Sequence, residues 1–202
     1  MNFYDDITEY SNATAFVTDV SGQFTYKELL READVFKNHI KKRCLIFCLC
    51  DNCIESLVGY IGFLRGRFVP LLLNSNTSPD LLQKLIETYK PEYFWLPREK
   101  ASVAGESSEM YAFQKYILTK TKFSADYTMH DDLALLLTTS GSTGSPKLVR
   151  QSYKNITSNA NSIAQYLRIS KADRPITTAP STCASMEAGL TTFPQSMVQT
   201  TR

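Results

Sequence analysis

Residues 45–73 read LIFCLCDNCIESLVGYIGFLRGRFVPLLL. Leu45 to Leu49 is a short, continuously apolar run, the pattern of a strand buried on both faces. A helix is expected to begin near Asn52, a good N-cap residue with Glu55 three positions on, and to run toward Arg65. Phe68 to Leu73 then forms the next strand. Strand, helix and strand in close succession are the unit of a parallel sheet with a crossover helix.

Working upstream, Thr25-Tyr26-Lys27-Glu28 is a capping box, in which Thr25 accepts from the first turn's amides and Glu28 reaches back. Leu29, Ala33, Phe36 and Ile40 follow at helical spacing and make one apolar stripe. Lys41, Lys42 and Arg43 read as the charged end of that helix. Downstream, Asn74-Ser75-Asn76-Thr77 is turn chemistry. Ser78 caps a third helix with Pro79 in its first turn, and Leu81, Leu82, Leu85 and Ile86 form its inner face. Tyr93 to Leu96 is another strand, closed by Pro97. This alternation predicts an α/β fold, with a parallel or mixed sheet and helices on both faces.

Beyond Arg98 the chain reads as a polar surface loop to about Ser108. One strand follows from Tyr111 to Thr119, and a strongly apolar one from Leu133 to Thr138. A loop rich in Gly, Ser and Thr leads into a strand from Lys147 to Gln151. The next helix, from about Lys154 to Arg168, has Ile156, Ala160, Ile163, Ala164 and Leu167 inward. Ile176 to Ala179 reads as a last strand. From Pro180 onward no clear period persists. The expected division is therefore a domain portion over 1–179 and an irregular tail over 180–202.

Of the 202 residues, 43% are hydrophobic and 21% charged, which suits one globular domain with a substantial core. A formal net charge of +2 gives no ground for nucleic acid or an anionic membrane surface as partner. The opening Met1-Asn2-Phe3-Tyr4-Asp5-Asp6 lacks the pattern of a secretory signal. The most apolar region, Ile54 to Leu73, is broken by Arg65 and Arg67 and is too short to span a bilayer. A cytoplasmic protein is expected. The cysteines then read as free thiols, and Cys44, Cys48, Cys50 and Cys53 lack the spacing of a zinc site. A competing reading makes Cys50-Asp51-Asn52-Cys53 a redox dithiol at a strand end, where a helix start would lower a thiol pKa. His39 falls on the polar side of its helix, and Trp95 reads as core. His130, Asp131 and Asp132 read as a charged loop, and no residue is assigned to a metal.

The segment that carries chemistry is Leu136-Leu137-Thr138-Thr139-Ser140-Gly141-Ser142-Thr143-Gly144-Ser145-Pro146-Lys147. Gly141 and Gly144 allow backbone angles that turn successive amides toward one concavity. Thr139, Ser140, Ser142 and Thr143 add hydroxyl donors, and Lys147 adds a full positive charge. A loop of this kind leaving a buried strand suits a nucleotide's polyphosphate. It is not a Walker A loop, because Ser145 and Pro146 separate the last glycine from Lys147 and Leu148 follows it. A flexible Ser/Gly turn is the plainer alternative.

Residues 139–147 resemble the phosphate-loop signature of the adenylate-forming superfamily, which contains acyl-CoA synthetases, peptide-synthetase adenylation domains and luciferases. Phe24 to Leu29, Asp51 to Glu55, Gly66 to Leu71 and Asp132 to Ala134 resemble further segments of that family in the right order. Leu148 and Arg150 depart from it, at positions where glycine and an apolar or small residue are common. The resemblance implies a carboxylic acid that attacks ATP, giving an acyl-adenylate and pyrophosphate, followed by transfer to a thiol of coenzyme A or carrier-protein pantetheine. It implies nucleotide contacts from Thr139, Ser140, Gly141, Ser142, Thr143, Gly144 and Lys147, catalytic roles for Thr143 and Lys147, and Mg²⁺ with the ATP. Later segments of the family's site have no counterpart here. A truncated or frameshifted ligase, inactive alone, is one account. A nucleotide-binding module without catalysis, or one that works with a separately encoded remainder, is the other.

Overall fold

The first helix rests on the capping box read in the sequence. In the computed structural model, which describes residues 4, 7–18, 22–124, 128–138, 148–169, 173 and 197–198, the Thr25 hydroxyl accepts from the Glu28 amide at 3.2 Å. The Glu28 carboxylate accepts from the Thr25 amide at 2.8 Å. Before this cap lie β1 (Thr14–Thr18) and β2 (Gly22–Thr25), paired antiparallel. After it α1 (Tyr26–His39) buries Leu29, Ala33 and Phe36, with Ile40 following as C-cap.

β3 (Leu45–Cys50), α2 (Ile54–Arg65), β4 (Val69–Asn74), α3 (Pro79–Tyr89) and β5 (Tyr93–Pro97) follow in the expected order. β3 pairs parallel with β4 on one side and β5 on the other. The alternation of side chains along a strand divides the core into two. Ile46, Cys48 and Cys50 face α1 and α2, together with Trp95 and Leu118. Leu45, Phe47 and Leu49 face α3, with Leu82, Leu85 and Ile86. Helices on both faces of one sheet are thus what the structure has.

Several local expectations are corrected. Asn52 does not cap α2; the N-cap is Cys53, which makes no side-chain cap bond. Glu55 is buried instead, and its carboxylate accepts from the Lys115 amide at 3.3 Å, far along the chain. Arg98–Ala104 is a 3₁₀ helix, not an open loop. The single strand expected from Tyr111 to Thr119 is a hairpin, β6 (Ser107–Phe113) and β7 (Tyr116–Thr121), paired antiparallel. Its turn holds Gln114 at φ 49°, a left-handed conformation that no glycine or asparagine signalled. Arg43 is not a helix end. Its guanidinium donates to the carbonyls of Arg67 at 2.7 Å and His130 at 3.1 Å, and to that of Leu133. His39 stacks on Tyr111 with ring centroids 5.6 Å apart.

β8 (Leu133–Thr138) joins the far side of β4, parallel to it, and β9 (Leu148–Ser152) pairs antiparallel with β8. The seven-stranded mixed sheet therefore runs β6-β7-β5-β3-β4-β8-β9. α4 (Tyr153–Tyr166) starts from a second capping box, Ser152 with Asn155. Ile156 and Ala160 are buried, but Leu167 is 60% exposed, contrary to its expected inward place. The helix ends before its stripe reaches that position. Met197–Val198, as β10, lies parallel beside β1. The strand expected at Ile176 to Ala179 and the boundary at 179 lie outside the described residues. Among the described residues no helix is long and apolar enough to cross a membrane.

Candidate functional site

β8 and β9 are the two arms from which the Gly/Ser/Thr loop departs. Thr138 and Leu148 are ladder partners at the open end of this hairpin, so residues 139–147 connect them directly. Thr139, Ser140, Gly141, Ser142, Thr143, Gly144 and Lys147 themselves lie outside the described residues. Where the loop leaves the sheet is nonetheless defined. β8 runs parallel to β4, with Leu71 opposite Leu136 and Leu72 opposite Leu137. Thr138 therefore ends on the same sheet edge as Asn74 and Cys50, the carboxyl ends of β4 and β3. In open α/β sheets that edge is where ligands bind.

At the neighbouring strand ends a polar cluster has formed that the sequence reading did not find. The Asp51 carboxylate accepts from the Ser75 hydroxyl and from the Tyr116 hydroxyl at 3.2 Å. The Ser56 hydroxyl accepts from the Asp51 amide at 3.0 Å, and the Cys53 thiol sits 3.3 Å from it. Lys100 donates to the Ser75 carbonyl and to Asn76 Oδ1 at 3.3 Å. Burial above all raises the Tyr116 phenol pKa far from its ordinary value. These groups satisfy one another, so the cluster locks three loops at the sheet edge. Asp51 and Ser75 follow consecutive parallel strands, a placement that could have suggested their meeting. Nothing in the sequence pointed to Tyr116.

The same geometry speaks against a redox dithiol. Burial, then the nearby Glu55 charge, pushes the Cys53 thiol up to about 12. The buried Cys50 thiol donates to the Cys48 carbonyl at 3.6 Å. A redox pair needs the opposite shift. His130 is turned into its own loop, where Nδ1 accepts from the Asp132 amide at 3.2 Å. Among the described residues no group of three or more His, Cys, Asp or Glu could hold a metal ion. On the α3 side of the hairpin lies an open cavity of about 740 Å³, lined by Leu133, Leu136, Leu148 and Tyr89 with Asp132 and Arg150 among its polar groups.

Comparison with known proteins agrees with this geometry. The family of AMP-binding enzymes matches residues 3–190. The chain is similar to the cyclosporin synthetase simA of Tolypocladium inflatum, 27% identical over 168 residues, covering 76% of this chain and 1% of that protein. It is also similar to the hybrid PKS-NRPS synthetase pynA of Aspergillus niger, 24% identical over 183 residues, covering 84% of this chain and 5% of the synthetase. Among solved structures, apo MatB from Rhodopseudomonas palustris superposes with a TM-score of 0.78 at 22% identity, covering 98% of this chain and 45% of MatB. MatB has also been solved with ATP bound, with a TM-score of 0.76 to this chain. The chain thus spans less than half of MatB and a small fraction of the synthetases. With the family matched along nearly its whole length and the fold shared with a solved relative, this chain belongs to the AMP-binding enzyme family.

Proposed function

We propose that this chain is the N-terminal, nucleotide-gripping part of an ATP-dependent carboxylic acid ligase, and that it does not complete the reaction alone. The observation that carries the reading is that β8, whose end at Thr138 lies at the carboxyl edge of the sheet, leads in sequence into the Gly/Ser/Thr segment with Lys147, in a chain of the AMP-binding family. In the intact enzyme a carboxylate would attack the α-phosphorus of ATP, releasing pyrophosphate and leaving an acyl-adenylate. A thiol, of coenzyme A or carrier-protein pantetheine, would then displace AMP to give a thioester. Amides at Gly141 and Gly144 and hydroxyls of Thr139, Ser140, Ser142 and Thr143 would hold the β and γ phosphates, with Lys147 as a movable cation. Their contribution is positioning and charge stabilisation, not proton transfer. Mg²⁺ would arrive with the nucleotide, since phosphate oxygens supply the ligands it prefers.

A partner-dependent module is the second reading. The large, exposed Tyr166 and Leu167 at the end of α4 are the observation that favours it, since they offer apolar surface for contact. A separately encoded remainder would then supply the acid pocket and the thiol path. Calorimetric titration with MgATP tests the shared core of both readings. The chain should bind MgATP, and Thr143→Ala with Lys147→Ala should weaken binding by at least about tenfold, the equivalent of one good hydrogen bond. A double variant that binds as tightly as the wild type would remove the loop from nucleotide binding. Pyrophosphate exchange by the chain alone, dependent on a carboxylic acid, would overturn the claim that it is incomplete.

A further inference from the structure

The four carbonyls of residues 130–133, at the start of β8, are all engaged. The His130 carbonyl accepts from the Leu133 amide at 2.9 Å and from Arg43 at 3.1 Å. The Asp131 carbonyl accepts from Arg67 Nη2 at 2.9 Å. The Asp132 carbonyl accepts from the Tyr153 amide, the first residue of α4, at 3.1 Å. The Leu133 carbonyl accepts from Arg43. Arg43 also holds the Arg67 carbonyl at 2.7 Å, and the Arg67 guanidinium lies 4.6 Å from the centroid of the Tyr153 ring. Two arginines, one just before β3 and one just before β4, thus fasten the root of β8 and the root of α4 to the sheet's centre.

We infer that Arg43 and Arg67 form a clamp that sets the seating of β8, and are positioning residues for the hairpin that carries the nucleotide loop. The need for such a clamp follows from the ladder. β8 meets β4 in register at Leu71 with Leu136 and Leu72 with Leu137, and β9 on its other side. A slip of one residue would turn every β8 side chain to the opposite face. It would also displace Thr138, from which the loop departs. Charge-assisted bonds from a forked guanidinium fix direction as well as distance. Arg67 is held at φ 57° and is exposed, so its side chain reaches the β8 root over the surface without filling the core.

The inference rests on the nucleotide-binding reading for its functional consequence, so two readouts are taken on the full 202-residue chain. Arg67→Ala keeps a non-glycine residue at the left-handed position and removes only the side chain; Arg67→Lys restores the charge. Arg31→Ala, an exposed position outside the clamp, is the control. Hydrogen exchange should quicken in the amides of 133–138 in Arg67→Ala, while those of β3 and β5 stay as in the wild type. Affinity for MgATP should fall about tenfold and affinity for AMP by no more than about twofold, because the phosphate-dependent part of binding is what the loop supplies. Arg67→Lys should recover most of both effects. Uniform quickening across the sheet, or equal losses for MgATP and AMP, would reduce the arginines to general stabilisers and overturn the inference. If the wild type binds neither nucleotide, the nucleotide reading falls by itself. Hydrogen exchange then decides the clamp: loosening confined to β8 sustains it, and no selective loosening refutes it.

Discussion

Gly62→Ala is the most direct test of how α1 sits on α2. A Cβ at residue 62 would lie 2.4 Å from Phe36 Cδ2 and 2.6 Å from the Ala33 carbonyl oxygen. Neither neighbour can yield easily. Phe36 is wholly buried and its ring packs on Phe63 at 4.6 Å and Trp95 at 5.0 Å. The Ala33 oxygen belongs to the α1 backbone, so relief requires the helices to part. Overpacking of this kind costs about 1–3 kcal/mol, and a backbone clash argues for the upper end. Replacing a mid-helix glycine by alanine returns about 1 kcal/mol of helix propensity. The net expectation is a loss of about 1–2 kcal/mol, a fall in melting midpoint of ~3–6 °C for a chain of this size. Trp95 is the sole tryptophan and touches this cluster, so its fluorescence reports the transition in heat or urea. A midpoint that rises, as propensity alone would produce, would refute the close-packed crossing.

Asp51→Ala removes the acceptor shared by Ser75 and Tyr116; it should destabilise the chain by about 2 kcal/mol in urea melts, since two hydroxyls lose their partner. An unchanged urea midpoint would show the cluster to be incidental. Iodoacetamide labelling of Cys53 should be slow at pH 8 and still accelerating above pH 9, because burial holds its thiol pKa near 12; a rate that levels off near pH 8.5 would contradict that. For Asp34, burial works to raise the carboxyl pKa but is outweighed by bonds from Arg65 and Lys37, so the net shift is downward. A depressed folded pKa stabilises above the unfolded value of about 3.9 and is lost as pH falls through the folded one. Asp34→Asn should therefore lower stability near neutrality and flatten its decline below about pH 4; parallel pH profiles for the two proteins would argue against it. Ser152→Ala should cost α4 about 1 kcal/mol through its cap, read as selective loss of helical circular dichroism on mild heating.

What was legible in the sequence was what depends on local pattern. The stripe from Leu29 to Ile40, the apolar run from Leu45 and the Thr25 capping box all act within a few residues, and all stand as read. The errors arose where distant partners overrode local preference. Asn52 has the chemistry of a cap, yet the chain turns at Cys53 and spends Glu55 on the amide of Lys115, 60 residues away. The β6–β7 turn has no glycine or proline, so one strand was read where two exist; tertiary contact, including that same carboxylate, holds Gln114 and Lys115 in place. Arg43 looked like a helix end because its three carbonyl partners, at residues 67, 130 and 133, carry no sequence signal at all. The strands on either side of the loop, read from Leu133 to Thr138 and from Lys147 to Gln151, were legible from local pattern and stand as β8 and β9, while residues 139–147 lie outside the described residues.

The two halves of the sheet differ in how they are covered. Over β3, β4 and β5 both faces are closed by α1, α2, α3 and the 3₁₀ helix, and every strand residue but Asn74 is buried. Around β8 and β9 the cavity of about 740 Å³ opens on one side. The exposed large hydrophobics among the described residues, Val149, Tyr166 and Leu167, all belong to β9 or the end of α4. Fully burying an exposed side chain of that size contributes about 1.5–3 kcal/mol, a gain that Tyr166, 86% exposed, approaches and Val149, 37% exposed, has in smaller part. The β8–β9 end of the sheet and the adjoining end of α4 are therefore where the described residues have the most to gain from further contact. Any segment that covers it would steady β8 and β9, and by linkage nucleotide held in the loop would favour that same docking. On the proposed function, nucleotide binding and that contact would be two views of one equilibrium.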